Sequence, residues 1–126
     1  LCSGSGAVGL EAESRGASMV VCVDRQVKFL KYNKESLGAG IDIVRQDITR
    51  YLNITDLTFD FIFLDPIWAD KDTYTVSIRT IFNRSLLKSN GWLFVEHDVN
   101  FCPADLFEVA KQYKYGNSRL SVFIQP

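Results

Sequence analysis

Cysteine and histidine, the side chains most often recruited for metal and nucleophile chemistry, are scarce in this chain. The three cysteines, Cys2, Cys22 and Cys102, are odd in number and lack metal-ligand spacing. They read as free thiols in a reducing compartment, so a cytoplasmic address is expected. Cys2 has no evident base beside it, which argues against a nucleophilic role. His97 stands alone, with no cysteine or histidine at ligand spacing, and reads as an ordinary strand-end residue; no metal is expected. Excess charge is missing too. Fourteen basic residues against fifteen acidic ones give a net charge of -1. No basic surface large enough to grip nucleic acid shows in those totals, and an RNA or DNA partner needs local help. No apolar run approaches the length of a membrane span, and no charged-then-apolar leader opens the chain. Linkers, repeats and low-complexity segments are absent as well. With 126 residues and 47% hydrophobic content, the chain reads as one domain, 1–126.

What is present begins at the first residue. "LCSGSGAVGLEAESRG" sets glycines at Gly4, Gly6 and Gly9, the spacing of a nucleotide-binding turn between a strand and a helix. Only Leu1 and Cys2 remain of the strand that should precede it, so the first strand is expected to be truncated and an N-terminal segment missing. Strand and helix then alternate. "SMVVCVD", "IDIVRQD", "FDFIFLD" and "WLFVEHD" read as strands. Helices are expected at Val8–Arg15, over "RQVKFLKYNKESLG" with Gly38 closing it, and as a short turn at "ITRYL". Two more are expected over "YTVSIRTIFNRSLLKSNG", stopped by Asn90 and Gly91, and over "PADLFEVAKQY" after Pro103. "KYGNSRLSVFI" reads as a hairpin about Gly116 and Asn117. This order predicts an α/β, Rossmann-like fold: a mostly parallel sheet with helices on both faces and an antiparallel C-terminal hairpin.

Ligands of such sheets sit beyond the carboxyl ends of the strands. There the chain offers the glycine turn, Asp24, Asp47 and the block Asp65 to Trp68. The glycines let backbone approach a ligand, and the following helix offers unpaired N–H groups to an anion. Asp24 is placed to accept from two ribose hydroxyls, and Asp47 could take an adenine amine. Taken singly, an aspartate after a strand is more often a helix N-cap. The ordered co-occurrence at successive strand ends is what describes an adenosine-shaped pocket.

The blocks "GSGAVGLEAESRGA", "VVCVDR", "VRQD", "FDFIFLDPIW", "NGWLFVEHD" and "YKYGNSRLSVF" run in order over nearly the whole chain, and together they resemble the RsmD family. These are bacterial methyltransferases that modify a guanine N2 in small-subunit ribosomal RNA. The resemblance implies a class I methyltransferase fold with seven strands, S-adenosylmethionine as cofactor, and the 16S rRNA of the 30S subunit or its assembly intermediate as partner, with the enzyme a monomer. It adds Ser3, Arg25, Ile48 and Asp65 to Gly4, Gly6, Gly9, Asp24 and Asp47 as cofactor-binding residues, and gives Asp65, Pro66 and Trp68 the catalytic roles. An exocyclic amine is a poor nucleophile, because its lone pair is delocalised into the ring. The Asp65 carboxylate and the Pro66 carbonyl would hold its two N–H groups, and the Trp68 face would hold the base, a contact worth about 1–3 kcal/mol. The family's usual block is Asp-Pro-Pro followed by Tyr or Phe; Ile67 and Trp68 stand here instead, freeing one backbone dihedral and widening the stacking face. Three alternatives remain open at this level: a nicotinamide-binding Rossmann domain, an amino-methyltransferase acting on DNA adenine or a protein amide, and a degenerate domain that binds cofactor or RNA without turnover.

Overall fold

A computed structural model describes every residue, 1–126. The chain divides into two compact units, Leu1–Tyr51 and Leu52–Pro126.

In the first unit the β-branched run at Val20–Val23 forms strand β1 (Val21–Asp24), which pairs in parallel with β2 (Asp42–Arg45), Val23 opposite Val44 and Asp24 opposite Arg45. A parallel pair needs a crossover, here helix α2 (Lys28–Leu37). Helix α1 (Ala7–Ser14) follows the glycine turn. The core is Cys22, Val27, Leu30 and Ile41, with Leu10, Val20 and Ile43 packed against it. Helix α3 (Ile48–Ile54) carries the chain onward from the first unit into the second.

In the second unit β3 (Phe59–Leu64) and β4 (Leu87–Asp98) are parallel and joined by α4 (Lys71–Asn83). Strands β5 (Lys111–Tyr115) and β6 (Ser118–Ile124) form the expected hairpin, and β6 lies antiparallel to β4, giving the order β3-β4-β6-β5. Alternation along β4 turns Leu93, Val95 and His97 inward with Phe123 of β6 and Ile78 and Ile81 of α4, all fully buried.

Four expectations are corrected. The α/β class holds, but the strands number six and fall into a parallel pair and a mixed four-stranded sheet, not one sheet of seven. Leu1–Ser3 form no strand. The Ser3 N–H reaches the Val23 carbonyl at 3.1 Å, a single bond where a ladder needs a run of them.

The helix expected to continue to Asn90 and Gly91 ends at Asn83. Ser85 adopts a left-handed φ of 52°, its N–H bonds the Phe82 carbonyl at 3.0 Å, and the Leu86 N–H bonds that of Ile81 at 3.0 Å. This is a Schellman ending without its usual glycine. Leu86 and Leu87 then enter the core, and Asn90-Gly91 lies in an irregularity of β4, where the register moves from Phe59 opposite Leu87 to Phe61 opposite Trp92.

The helix expected after Pro103 is a single 3-10 turn, Pro103–Asp105. From Ala110, whose N–H bonds the Val122 carbonyl at 2.9 Å, the chain is drawn into the hairpin ladder, where the aromatic residues Tyr113 and Tyr115 suit a strand.

Candidate functional site

The glycine turn of the first unit uses its three glycines differently. A Cβ on Gly6 would sit 2.2 Å from Leu30 Cδ1, and one on Gly9 would sit 2.4 Å from the Cys22 sulfur, so both positions serve the packing of α1. Gly4, at φ +52°, has nothing within 4 Å of such a Cβ and stands exposed before α1, whose N-cap Gly6 supplies no side-chain acceptor. The uncapped first turn leaves backbone N–H groups for an anionic ligand.

Asp24, at the carboxyl end of β1, ties this turn down. Its Oδ2 accepts from the Gly4 N–H at 2.9 Å and its Oδ1 from the Gln26 N–H at 2.9 Å. A carboxylate has about four lone-pair sites, so two remain for hydroxyl donors. Ser3 donates its hydroxyl to the Val23 carbonyl at 3.2 Å. Asp47 precedes α3 and caps it: Oδ1 accepts from the Arg50 N–H at 3.0 Å and from the Thr49 hydroxyl, while Oδ2 accepts from Arg25 Nε at 3.0 Å and also from Nη2. The Thr49 hydroxyl, the Arg50 N–H and the Arg25 guanidinium, in that order, hold the Asp47 carboxyl far below its ordinary value. Ile48 is buried, so a ligand could meet only its backbone.

The second unit contains a different kind of acid. Asp65 follows β3 and is half-buried, and no hydrogen bond from the rest of the chain reaches its carboxylate. Burial first, and then the neighbouring Glu96 carboxylate, raise its pKa to about 6. The register explains Glu96: Leu64, the last residue of β3, pairs with Val95, so Asp65 leaves the strand beside Glu96, which continues in β4 opposite Leu120. Pro66 is buried, and its carbonyl lies 3.1 Å from the Tyr74 hydroxyl, which also reaches the Glu96 carbonyl at 2.7 Å. One phenolic proton serves two carbonyls there, and each carbonyl keeps a further lone pair. Tyr74 is fully buried and stacks on Phe101, ring centres 4.8 Å apart.

Ile67 is 80% exposed and Trp68 38% exposed, in a turn closed by the Asp70 N–H on the Ile67 carbonyl at 2.8 Å. Asp70 then caps α4, accepting from the Thr73 N–H at 3.1 Å and the Thr73 hydroxyl at 2.6 Å. A helix cap thus holds the turn that a second proline would otherwise stiffen. His97 is a core residue. Its Nδ1 lies 2.7 Å from the Asp98 carbonyl, which only accepts, so Nδ1 carries the proton and Nε2 accepts from the Ser121 hydroxyl at 2.8 Å. Burial lowers its pKa, in keeping with a neutral ring.

Sequence reasoning did not find Tyr74 or Glu96. Glu96 was legible in principle, as the residue after the apolar run of β4; Tyr74 carried no signal beyond helical spacing. No cluster of His, Cys, Asp or Glu suited to a metal is present.

A family model described as conserved hypothetical protein 95 matches residues 1–124. The ribosomal RNA small subunit methyltransferase D of Buchnera aphidicola subsp. Baizongia pistaciae (strain Bp) is 31% identical over 100 residues, covering 76% of this chain and 50% of the relative. The chain spans about half the length of the curated relatives it matches. A solved structure of a conserved hypothetical protein of Streptococcus pyogenes matches with a TM-score of 0.85 at 26% identity, covering 98% of this chain and 82% of that one. The ribosomal protein L11 methylase of Lactobacillus delbrueckii subsp. bulgaricus matches with a TM-score of 0.77 at 17% identity, over 99% of this chain and 67% of that one; at that identity the likeness shows the fold alone.

Proposed function

Because the chain belongs to the conserved hypothetical protein 95 family, the RsmD family, we propose that it transfers a methyl group from S-adenosylmethionine to the exocyclic N2 amine of a guanine in small-subunit rRNA. The observation that carries this reading is the half-buried Asp65 carboxylate, without an internal hydrogen bond, at the end of β3 and next in the chain to the Pro66 carbonyl. A half-buried carboxylate to which the chain supplies no donor, and whose pKa burial has raised, is open to a ligand that brings one.

The residues present fit the cofactor. Gly4 leaves open space, the first turn of α1 is uncapped, and Asp24 keeps lone pairs free for ribose hydroxyls. Bound there, the cofactor would supply an electrophilic methyl group, so positioning can carry much of the rate and neither a strong base nor a metal is demanded. Asp65, ionised above about pH 6, accepts one N–H of the target amine. The Pro66 carbonyl accepts the other with its remaining lone pair. Tyr74, donating between the Pro66 and Glu96 carbonyls, fixes the direction of the first, and Trp68 offers its exposed face to the base. As the amine gains positive character, the Asp65 carboxylate attracts it more strongly than it attracts the neutral ground state, and the proton that the methylated amine must lose passes through Asp65 to solvent. A target within an RNA helix must be swung out to be reached. A nicotinamide-binding reading gives no reason for this second cluster.

The test incubates the protein with labelled S-adenosylmethionine and unmodified small subunits and maps the label by mass spectrometry. A single labelled guanine N2 is expected, lost in Asp65→Ala with cofactor binding retained. Label on adenine, on protein or nowhere would reject the reading.

A further inference from the structure

The first unit holds a cleft of about 390 Å³ lined by Arg25, Gln26, Val27, Lys28, Lys31 and Arg45. Four of these six are cations and no carboxylate lines it. The neighbouring acids are already engaged: Asp24 accepts from the Gly4 and Gln26 N–H groups, and Asp47 from Arg25, Thr49 and Arg50. Arg45, opposite Asp24 in the ladder, donates through Nε to the Arg25 carbonyl at 3.3 Å, which anchors its base beside the cleft. Lys28 and Lys31, three apart on α2, share one face and form no ion pair.

The local charge pattern runs against the helix that carries it. The first turn of α2 contains no acidic residue, its N-cap Val27 contributes no side-chain acceptor, and Lys28 begins the helix. Cations at a helix N-terminus oppose the macrodipole, and like charges around a cleft repel. Asp47 offsets the charge of Arg25 and Asp24 meets the Gln26 N–H just before the helix, but Lys28, Lys31 and Arg45 form no ion pair, and an anion in the cleft would offset their repulsion. The chain as a whole carries a net charge of -1, so this cluster is a local departure from its average.

We propose that this cleft seats backbone phosphates of the RNA substrate, with Lys28, Lys31 and Arg45 as the contacting cations and the first turn of α2 adding backbone N–H donors. The inference rests on the RNA-methyltransferase reading and deepens it, naming a surface that positions the RNA without reading its sequence. It supplies the local basic help that the near-neutral composition required.

The experiment uses the full chain and a short fluorescently labelled single-stranded RNA, with affinity measured by anisotropy across a range of salt, without cofactor or turnover. Each phosphate contact contributes about 0.7 to the slope of log affinity against log salt for a single strand. The variant Lys28→Gln, Lys31→Gln, Arg45→Gln is expected to lower that slope by about 2 and to weaken binding roughly tenfold at moderate salt, equally for RNAs of different sequence. The charge-preserving variant Lys28→Arg, Lys31→Arg should restore both. An unchanged slope in the glutamine variant would overturn the proposal, as would equal loss in the arginine variant. A parallel arm titrates inorganic phosphate against the RNA. Competition only on the order of millimolar is expected for an RNA backbone site; micromolar competition would make this a free-anion site and overturn the RNA assignment. Because binding is read apart from methyl transfer, a protein that methylates no RNA yet shows the slope change would sink the activity and keep the cleft, and the reverse result would do the opposite.

Discussion

Asp24 and Asp47 in the first unit and Asp65 in the second all lie at or just beyond the carboxyl end of a strand, yet they are held in opposite ways. Both oxygens of Asp24 and of Asp47 accept hydrogen bonds from the chain, and Asp47 is pushed far toward its ionised form by Thr49, Arg50 and Arg25. Asp65 receives none and is pushed the other way by burial and by Glu96. The first pair hold the loops around them with donors that the fold supplies, and Asp24 keeps lone pairs to spare for a ligand. Asp65 is destabilised at rest and gains most when a donor arrives. All three lie within two residues of a strand's carboxyl end; what differs is whether the fold has already supplied the donors.

The comparison breaks most visibly at Asp65. Asp65→Ala is expected to lower single-turnover methyl transfer by a factor of about 100–1000 or more, the cost of removing one aimed charge partner, while cofactor affinity measured by calorimetry stays within about twofold. Wild-type transfer by this variant would remove the distinction between the acids. Tyr74→Phe comes next. Loss of the hydroxyl shared by two buried carbonyls should cost about 1–2 kcal/mol in denaturant unfolding and slow transfer roughly tenfold by loosening Pro66. Asp47→Ala should cost a similar 1–2 kcal/mol through the α3 cap and the Arg25 pair, and the transfer rate at saturating substrate should stay near wild type. An Asp47 effect on rate but not on stability would reverse its assignment.

A smaller effect separates the acids by pH. The folded-state pKa of Asp65 lies above its unfolded value, so its contribution to stability is fully present below the unfolded value near 3.8 and is lost as pH rises through about 6. Asp65→Asn should therefore raise the melting temperature near neutral pH and leave it unchanged near pH 4. The gain should be about 1 kcal/mol, since the group is half-exposed and solvent screens it. Asp47 has the opposite sign, with stability present above its unfolded value and lost only in strong acid. Smallest of all, Ser85→Gly should stabilise the chain by about 0.5–1 kcal/mol, by placing glycine where φ is positive.

The local signals that the sequence carried were those encoded by residue type at one position. Gly38 announced the end of α2, and runs of β-branched and aromatic residues announced β1, β2 and β3. Where the fold departed from local rules, the sequence misled. Ser85 ends α4 in a conformation that glycine normally signals, and the Asn90-Gly91 pair that reads as a helix stop lies inside a strand. The segment after Pro103 has helical spacing but is captured by the edge of a sheet, a nonlocal contact invisible to periodicity. At the candidate site, the acids and the proline were legible from spacing. Which acids would be satisfied was not, because Gly4 reaches Asp24 across twenty residues and Tyr74 reaches the Glu96 carbonyl across twenty-two.

The most direct measurement is the pH dependence of single-turnover methyl transfer on unmodified small subunits, wild type against Asp65→Asn. The wild-type rate should climb through a single ionisation near pH 6, where the Asp65 carboxyl loses its proton. The asparagine protein should be slow and flat over the same range. A flat wild-type profile, or a rising limb that survives in Asp65→Asn, would show that the amine is held by something other than this carboxylate.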